Sequence, residues 1–279
     1  MSHDTLSQNP SEGLTRSGAP AVRFYTASLD SRTLTLAVHG KRPLPLLILN
    51  SEQQTESFYE AFFKACHRKG AKAFNLLVIS GFDWNADLSP WFERITLHGT
   101  DSVFNGRAED YLNWIESRVL LWSKSILTYE IPWTGLIGYS MAGLFALYGA
   151  LSSSCFDCTA SVSGSLWYPE LTEWIQNQEI PSSLEALYFS IGTKESRTSD
   201  PYLKTTESIT RDLSKYFSQA GLNCAFEENP GNHFYQPDER LAKSIAWLTH
   251  AMDSVVKNSK ETSKSVSVKQ STGIRETEY

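Results

Sequence analysis

The stretch 133–149, Trp-Thr-Gly-Leu-Ile-Gly-Tyr-Ser-Met-Ala-Gly-Leu-Phe-Ala-Leu-Tyr-Gly, constrains this chain more than any other. Residues 135–137 read as the end of a short buried strand, and 141–151, rich in Ala, Leu and Met, read as a helix. Between them sits Gly138-Tyr139-Ser140-Met141-Ala142-Gly143. A chain that passes from strand to helix in so little space strains the central residue, and small residues on either side leave room for the two arms. The Ser140 hydroxyl is then lifted clear of the sheet. The next N–H, on Met141, sits at the positive end of the helix, where it faces developing negative charge. The usual form of this turn is Gly-x-Ser-x-Gly. Here the fifth position is Ala142, a variant small enough to fit. A buried serine in a small-residue turn is the plainer alternative, and the flanking strand and helix argue against it.

Taken in order, residues 1–20 are rich in Ser, Gly and Pro and are expected to be disordered. Residues 23–27 and 33–39 alternate as strands do, and Gly40-Lys41-Arg42-Pro43 is a turn signal. The apolar run 44–49 suits a strand buried on both faces. Phe58, Tyr59, Phe62, Phe63 and Cys66 lie at helical spacing over 56–69 and form a core stripe. A strand over 73–79 is followed by a long polar and aromatic loop that runs past Phe104-Asn105-Gly106 to a helix at 108–121. Beyond the 133–149 stretch come strands at 160–163, 187–191 and 223–227, a helix over 201–220, and a helix over 237–256 opened by Pro237. The Ser/Thr/Lys-rich segment 257–279 is expected to be a disordered tail. The alternation predicts one α/β domain over 21–256. Its central sheet is mostly parallel with an antiparallel N-terminal edge, and helices cover both faces.

A serine hydroxyl attacks well at neutral pH only beside a base that is itself oriented by an acceptor. Only His233 and His250 follow Ser140. His250 falls inside the last helix, whereas His233 lies in the Gly-flanked turn after the last strand, where a base belongs. Glu195, one short turn after the penultimate strand, is the expected acid, with Asp200 as its rival. Met141 N–H supplies one oxyanion donor, and the backbone at Asn50 or Ser51, just after a buried strand, supplies the second; Ser51 is equally readable as a helix cap. Tyr139, Trp84, Trp91 and Trp167 are candidates to wall a substrate pocket, and stapling the long loop to the domain is the bland alternative for Trp84 and Trp91.

Composition narrows the partners. The net charge of −6 comes with no dense basic patch, which argues against nucleic acid. No apolar run reaches membrane-spanning length, and the N-terminus has no basic region followed by an apolar stretch, so a cytoplasmic protein is expected. Cys155-Phe156-Asp157-Cys158 is a lone C-x-x-C without a second pair, a weak signal for a metal or redox role. No metal or cofactor is expected.

Gly138 to Ala146, then Ser163-Gly164-Ser165-Leu166-Trp167, then Gly192-x-x-Glu195, then Asn232-His233-Phe234 occur in an order that resembles the α/β-hydrolase superfamily. Within it, the branch of esterase D and the siderophore (enterobactin-type) esterases is most similar. The resemblance spans roughly residues 20–255. It implies a serine hydrolase that cleaves a carboxylic ester, with Ser140 as nucleophile and His233 as base, acting on a siderophore-like ester; the aromatic residues Trp84, Trp91, Trp167 and Tyr168 suit a bulky or aromatic acyl group. The acid varies in that branch, and some members use a serine–histidine dyad, so Glu195 stays open. Gly164 departs from the family's Ser-Pro-Ser, and Asn232 from its Gly-Gly-His. An acyltransferase on the same residues, and a catalytically silent binding protein, are the rival readings.

Overall fold

The computed structural model describes residues 5–12 and 22–271, with side chains over 22–257. The chain opens with β1 (Thr5–Glu12), β2 (Val22–Leu29) and β3 (Arg32–His39), paired antiparallel in that order. Asp30 and Ser31 join β2 to β3 with φ of 50° and 67°, the turn that matches the twist of two paired strands. The run 44–49 yields β4 (Leu46–Asn50), buried at every residue. Thr55 caps α1 (Glu56–Arg68) by accepting from Phe58 N–H, and Phe58, Tyr59, Phe62, Ala65 and Cys66 form its buried stripe. Then come β5 (Asn75–Ser80) and a separate hairpin of β6 (Phe92–Leu97) and β7 (Thr100–Asn105).

The remaining elements alternate. The helix expected at 108–121 is α2 (Ala108–Trp114), a wider π turn over Ile115–Val119, and α3 (Leu120–Ile126). After it come β8 (Thr134–Tyr139), α4 (Met141–Ser152), β9 (Cys158–Val162), α5 (Leu171–Gln176) and β10 (Ala186–Gly192), then α6 (Thr206–Gln219), β11 (Asn223–Asn229) and α7 (Pro237–Ser271). The main sheet has the order β1-β2-β3-β5-β4-β8-β9-β10-β11. The six strands from β5 to β11 are parallel, and β3 joins them antiparallel.

Alternate residues of one strand feed opposite cores. Leu46 and Ile48 pack with Leu144 and Phe145 on the face covered by α2 to α6, while Leu47 and Leu49 pack with Phe62, Leu241 and Ile245 on the face of α1 and α7. That double burial is why the inner strands read as unbroken apolar runs. Each large side chain so buried contributes about 1.5–3 kcal/mol.

Three expectations change. Thr5–Glu12 forms a strand, where an unstructured segment was expected, and α7 continues through Ser271 rather than stopping near 256. The rest of those terminal segments lies outside the described residues. The long loop after β5 contains the β6–β7 hairpin.

Candidate active site

The turn between β8 and α4 forces Ser140 to φ 60° and ψ −125°. For a residue bearing a side chain this backbone is costly, about 1–3 kcal/mol, and it persists because its surroundings fix it. Ser140 N–H donates to the Val162 carbonyl at 3.1 Å, and the Ser140 carbonyl accepts from Gly143, Leu144 and Ser165 at 2.9, 3.1 and 3.0 Å. A Cβ at position 138 would lie 1.9 Å from the Ala142 carbonyl oxygen. The room in the turn is therefore made at Gly138, which is why Ala is tolerated at 142.

β8, β10 and β11 bring three side chains to the same end of the sheet. His233 Nε2 lies 3.0 Å from Ser140 Oγ, and His233 Nδ1 lies 2.7 Å from Glu195 Oε2. Glu195 is buried. Its other oxygen, Oε1, accepts from Gly192 N–H at 2.6 Å, Ser163 Oγ at 2.9 Å and Arg240 Nη1 at 2.7 Å. Burial opposes ionisation of this carboxyl, but the bond and charge of His233 and the donors at Gly192 and Ser163 outweigh it and hold the group below the usual glutamate range. Asp200 does not reach this line. Its Oδ2 accepts from His98 N–H at 2.7 Å and its Oδ1 from Tyr202 and Leu203 N–H. Burial works against its charge too, yet these backbone donors keep it below the usual aspartate range.

Sequence analysis missed Arg240 and gave Ser163 no role at the acid. Arg240 is 2% exposed. Its Nη1 donates to Glu195, to Ser163 Oγ at 2.8 Å and to Tyr139 OH at 3.3 Å; its Nη2 donates to the Pro230 and Asn232 carbonyls at 2.9 and 2.8 Å. One signal was present in the sequence. A cation in the first turn of a helix runs against the helix dipole, so Arg240, three residues after Pro237, is out of place unless something holds it there.

A cavity of about 400 Å³ opens over Ser140 and is lined by Trp84, Leu97, Phe104, Trp167 and Phe234 among others. Trp84 and Trp167 thus stand where a pocket wall was expected. Trp91 does not: its ring packs on Tyr168 and Trp174, and its carbonyl accepts from Tyr168 OH at 2.7 Å. Tyr139 also turns away from the cavity and donates its hydroxyl to the His233 carbonyl. The hairpin contributes Leu97, His98, Ser102 and Phe104, so the segment read as a loop roofs the site. A Cβ at Gly164 would lie 2.1 Å from Ser161 Oγ, so the proline that the resemblance implies at this position would have no room here. A second hollow, of about 500 Å³ and lined by Pro43, Glu130, Trp133 and Asp253, contains neither Ser140 nor His233.

Of the oxyanion candidates, Met141 is the first residue of α4 and lines the cavity. Ser51 N–H is bound to the Ile79 carbonyl at 2.9 Å and is not free to serve, and the cap of α1 is Thr55 rather than Ser51. Asn50 is 3% exposed, accepts from Tyr111 OH at 2.6 Å, and keeps a buried Nδ2 without a partner among the described residues. Cys155 and Cys158 are both free thiols, the second fully buried in β9. Burial pushes its thiol well above the ordinary range, the opposite of what redox chemistry needs.

The sheet order, the strained serine between strand and helix, and the histidine after the last strand together define the α/β-hydrolase fold. Solved structures with this fold share it over most of the chain. A siderophore hydrolase, EstA, from Aspergillus nidulans matches with a TM-score of 0.65 and 17% identity, over 86% of this chain and 98% of its own. An IroE-like serine hydrolase from Shewanella oneidensis matches with a TM-score of 0.64 and 14% identity, over 82% and 80%. In sequence, the uncharacterized protein YbbA of Bacillus subtilis (strain 168) is 26% identical over 170 residues, which is 58% of this chain and 68% of YbbA. No protein-family model matches the sequence.

Proposed function

We propose that this protein is a carboxylic ester hydrolase that works through an acyl-enzyme on Ser140. The observation that carries the reading is the hydrogen-bonded line from Ser140 Oγ through His233 to Glu195. As Ser140 Oγ attacks the ester carbonyl carbon, His233 Nε2 takes its proton, and Glu195 holds the ring in the tautomer that leaves Nε2 free. The oxyanion forms against Met141 N–H, with Asn50, the last residue of the strand paired with β8, as the second donor. Collapse breaks the ester C–O bond, and the leaving alkoxide receives the proton from His233. A water then repeats the sequence and releases the acid.

The substrate reading rests on the cavity and the neighbours. Trp84, Phe104, Trp167 and Phe234 offer aromatic walls, which suits a bulky or aromatic acyl group, and the similarity to a siderophore hydrolase suggests a siderophore-like ester. No helix of the described residues is long and apolar enough to cross a membrane. A reducing cytoplasm suits four free cysteines.

The test is hydrolysis of an ester series graded by acyl size, with products analysed with and without an added alcohol or amine acceptor. The reading expects free acid as the main product and a rate loss of about 10³-fold or more in Ser140→Ala. Acyl transfer to the acceptor in preference to water would make the protein a transferase. Hydrolysis undiminished in Ser140→Ala would end the reading.

A further inference from the structure

The charge on Arg240 is buried, and a buried cation is tolerated only when paired and hydrogen-bonded. Its guanidinium touches four stretches of chain at once: the end of β8 at Tyr139, the turn after β9 at Ser163, the acid at Glu195 after β10, and the Pro230 and Asn232 carbonyls directly before His233. The two terminal nitrogens divide the work. Nη1 faces the acid, and Nη2 faces the loop that carries the base. Only a planar fork with fixed donors does both. Glu195 is divided in the same way, with Oε2 on His233 and Oε1 on Arg240 at equal distances of 2.7 Å.

We propose that Arg240 is a positioning residue for the Ser140–His233–Glu195 line, fixing the acid and base loops to each other and balancing the carboxylate charge on the side away from the ring. This inference rests on the hydrolase reading above. The physical argument concerns charge at one ring. A lone carboxylate against Nδ1 favours the imidazolium, which cannot take the serine proton. A cation on the far oxygen of that carboxylate weakens the preference without moving the carboxylate. The other groups around His233 do not substitute for it. Tyr139 from β8 binds its carbonyl through a hydroxyl, while His98 from the hairpin and Lys194 beside Glu195 line the cavity and make no side-chain bond to the acid. A contact that only stabilises the fold predicts something different: its variants would lower the melting temperature and leave kcat unchanged.

Two variants separate these roles, measured as pH profiles of kcat/KM for ester hydrolysis alongside thermal melts. R240M keeps the bulk and loses the charge. The proposal expects its acid limb to move up by about one pH unit, because the protonated ring is now favoured. R240K keeps the charge but cannot reach both loops. Its acid limb should stay near wild type while kcat falls about ten-fold or more with KM within about two-fold. If R240M does not fold, R240K decides alone, and an undiminished kcat there overturns the proposal. So does an R240M acid limb that stays in place. Ser140→Ala and His233→Ala run in parallel: activity surviving in those two would show that the hydrolase reading itself is wrong, whatever the Arg240 variants do.

Discussion

Under the proposed mechanism, Glu195 separates a triad from a dyad. Glu195→Gln keeps the shape and removes the charge. A fall in kcat/KM of about 10³-fold or more would mark a working triad, and a near wild-type rate would mark a serine–histidine dyad. The same variant carries a stability signature. It leaves Arg240 as an unpaired buried cation, a loss of about 3–5 kcal/mol at neutral pH. The folded carboxyl sits below its ordinary value of 4.5, so its contribution is complete above that value and is lost as pH falls through the lower folded value. Urea unfolding from pH 7 to pH 3 should show the gap between wild type and variant flat above about 4.5 and closing below it. A gap independent of pH would mean that the carboxylate charge is not what stabilises the fold. Ser140, His233 and Glu195 were legible because each sits at a strand end marked by glycine. Arg240 was legible only as a cation set against the dipole of its own helix, and nothing local reveals that what holds it lies 45 residues away.

Among the elements, the β6–β7 hairpin roofs the cavity over Ser140. Its turn is His98-Gly99, both residues at positive φ, 49° and 77°. Asn-Gly or Asp-Gly in that place announces a hairpin, and histidine hides it, which is why the segment reads as loop. Asp200, weighed as the catalytic acid, instead ties the hairpin tip down through His98 N–H while capping the turn that leads to α6. Asp200→Ala should therefore loosen the roof and spare the chemistry. KM for bulky esters is expected to rise about three- to ten-fold, with kcat for a small acetyl ester within about two-fold. A collapse of kcat for both esters would return Asp200 to the catalytic machinery. Helix α4 follows the opposite rule. It is apolar on nearly every side because sheet and neighbouring helices enclose it, and so its place was readable from composition alone.

Over the whole molecule, the shared direction of the inner strands followed from apolar runs separated by helical stripes; the antiparallel edge is present, but its hairpin turns at Asp30-Ser31 and β3 pairs with β5, so the turn at residues 40–43 does not join paired strands. Contacts set by side-chain direction did not follow. Trp91 and Tyr139 carry the same aromatic signal as Trp84 and Trp167, yet two face packed neighbours and two face the cavity, a distinction that depends on tertiary packing. The architecture gathers a strained serine, a histidine and a doubly held carboxylate at one sheet end, beneath an aromatic roof and beside an 85% exposed Phe234. In the proposed reading Ser140 is thereby an activated nucleophile. Labelling of the purified protein with a fluorophosphonate, read by intact mass beside Ser140→Ala and His233→Ala, tests it most directly. One adduct is expected on the wild type and none on either variant. A well-folded wild type that takes no adduct, or an adduct that persists in Ser140→Ala, would contradict it.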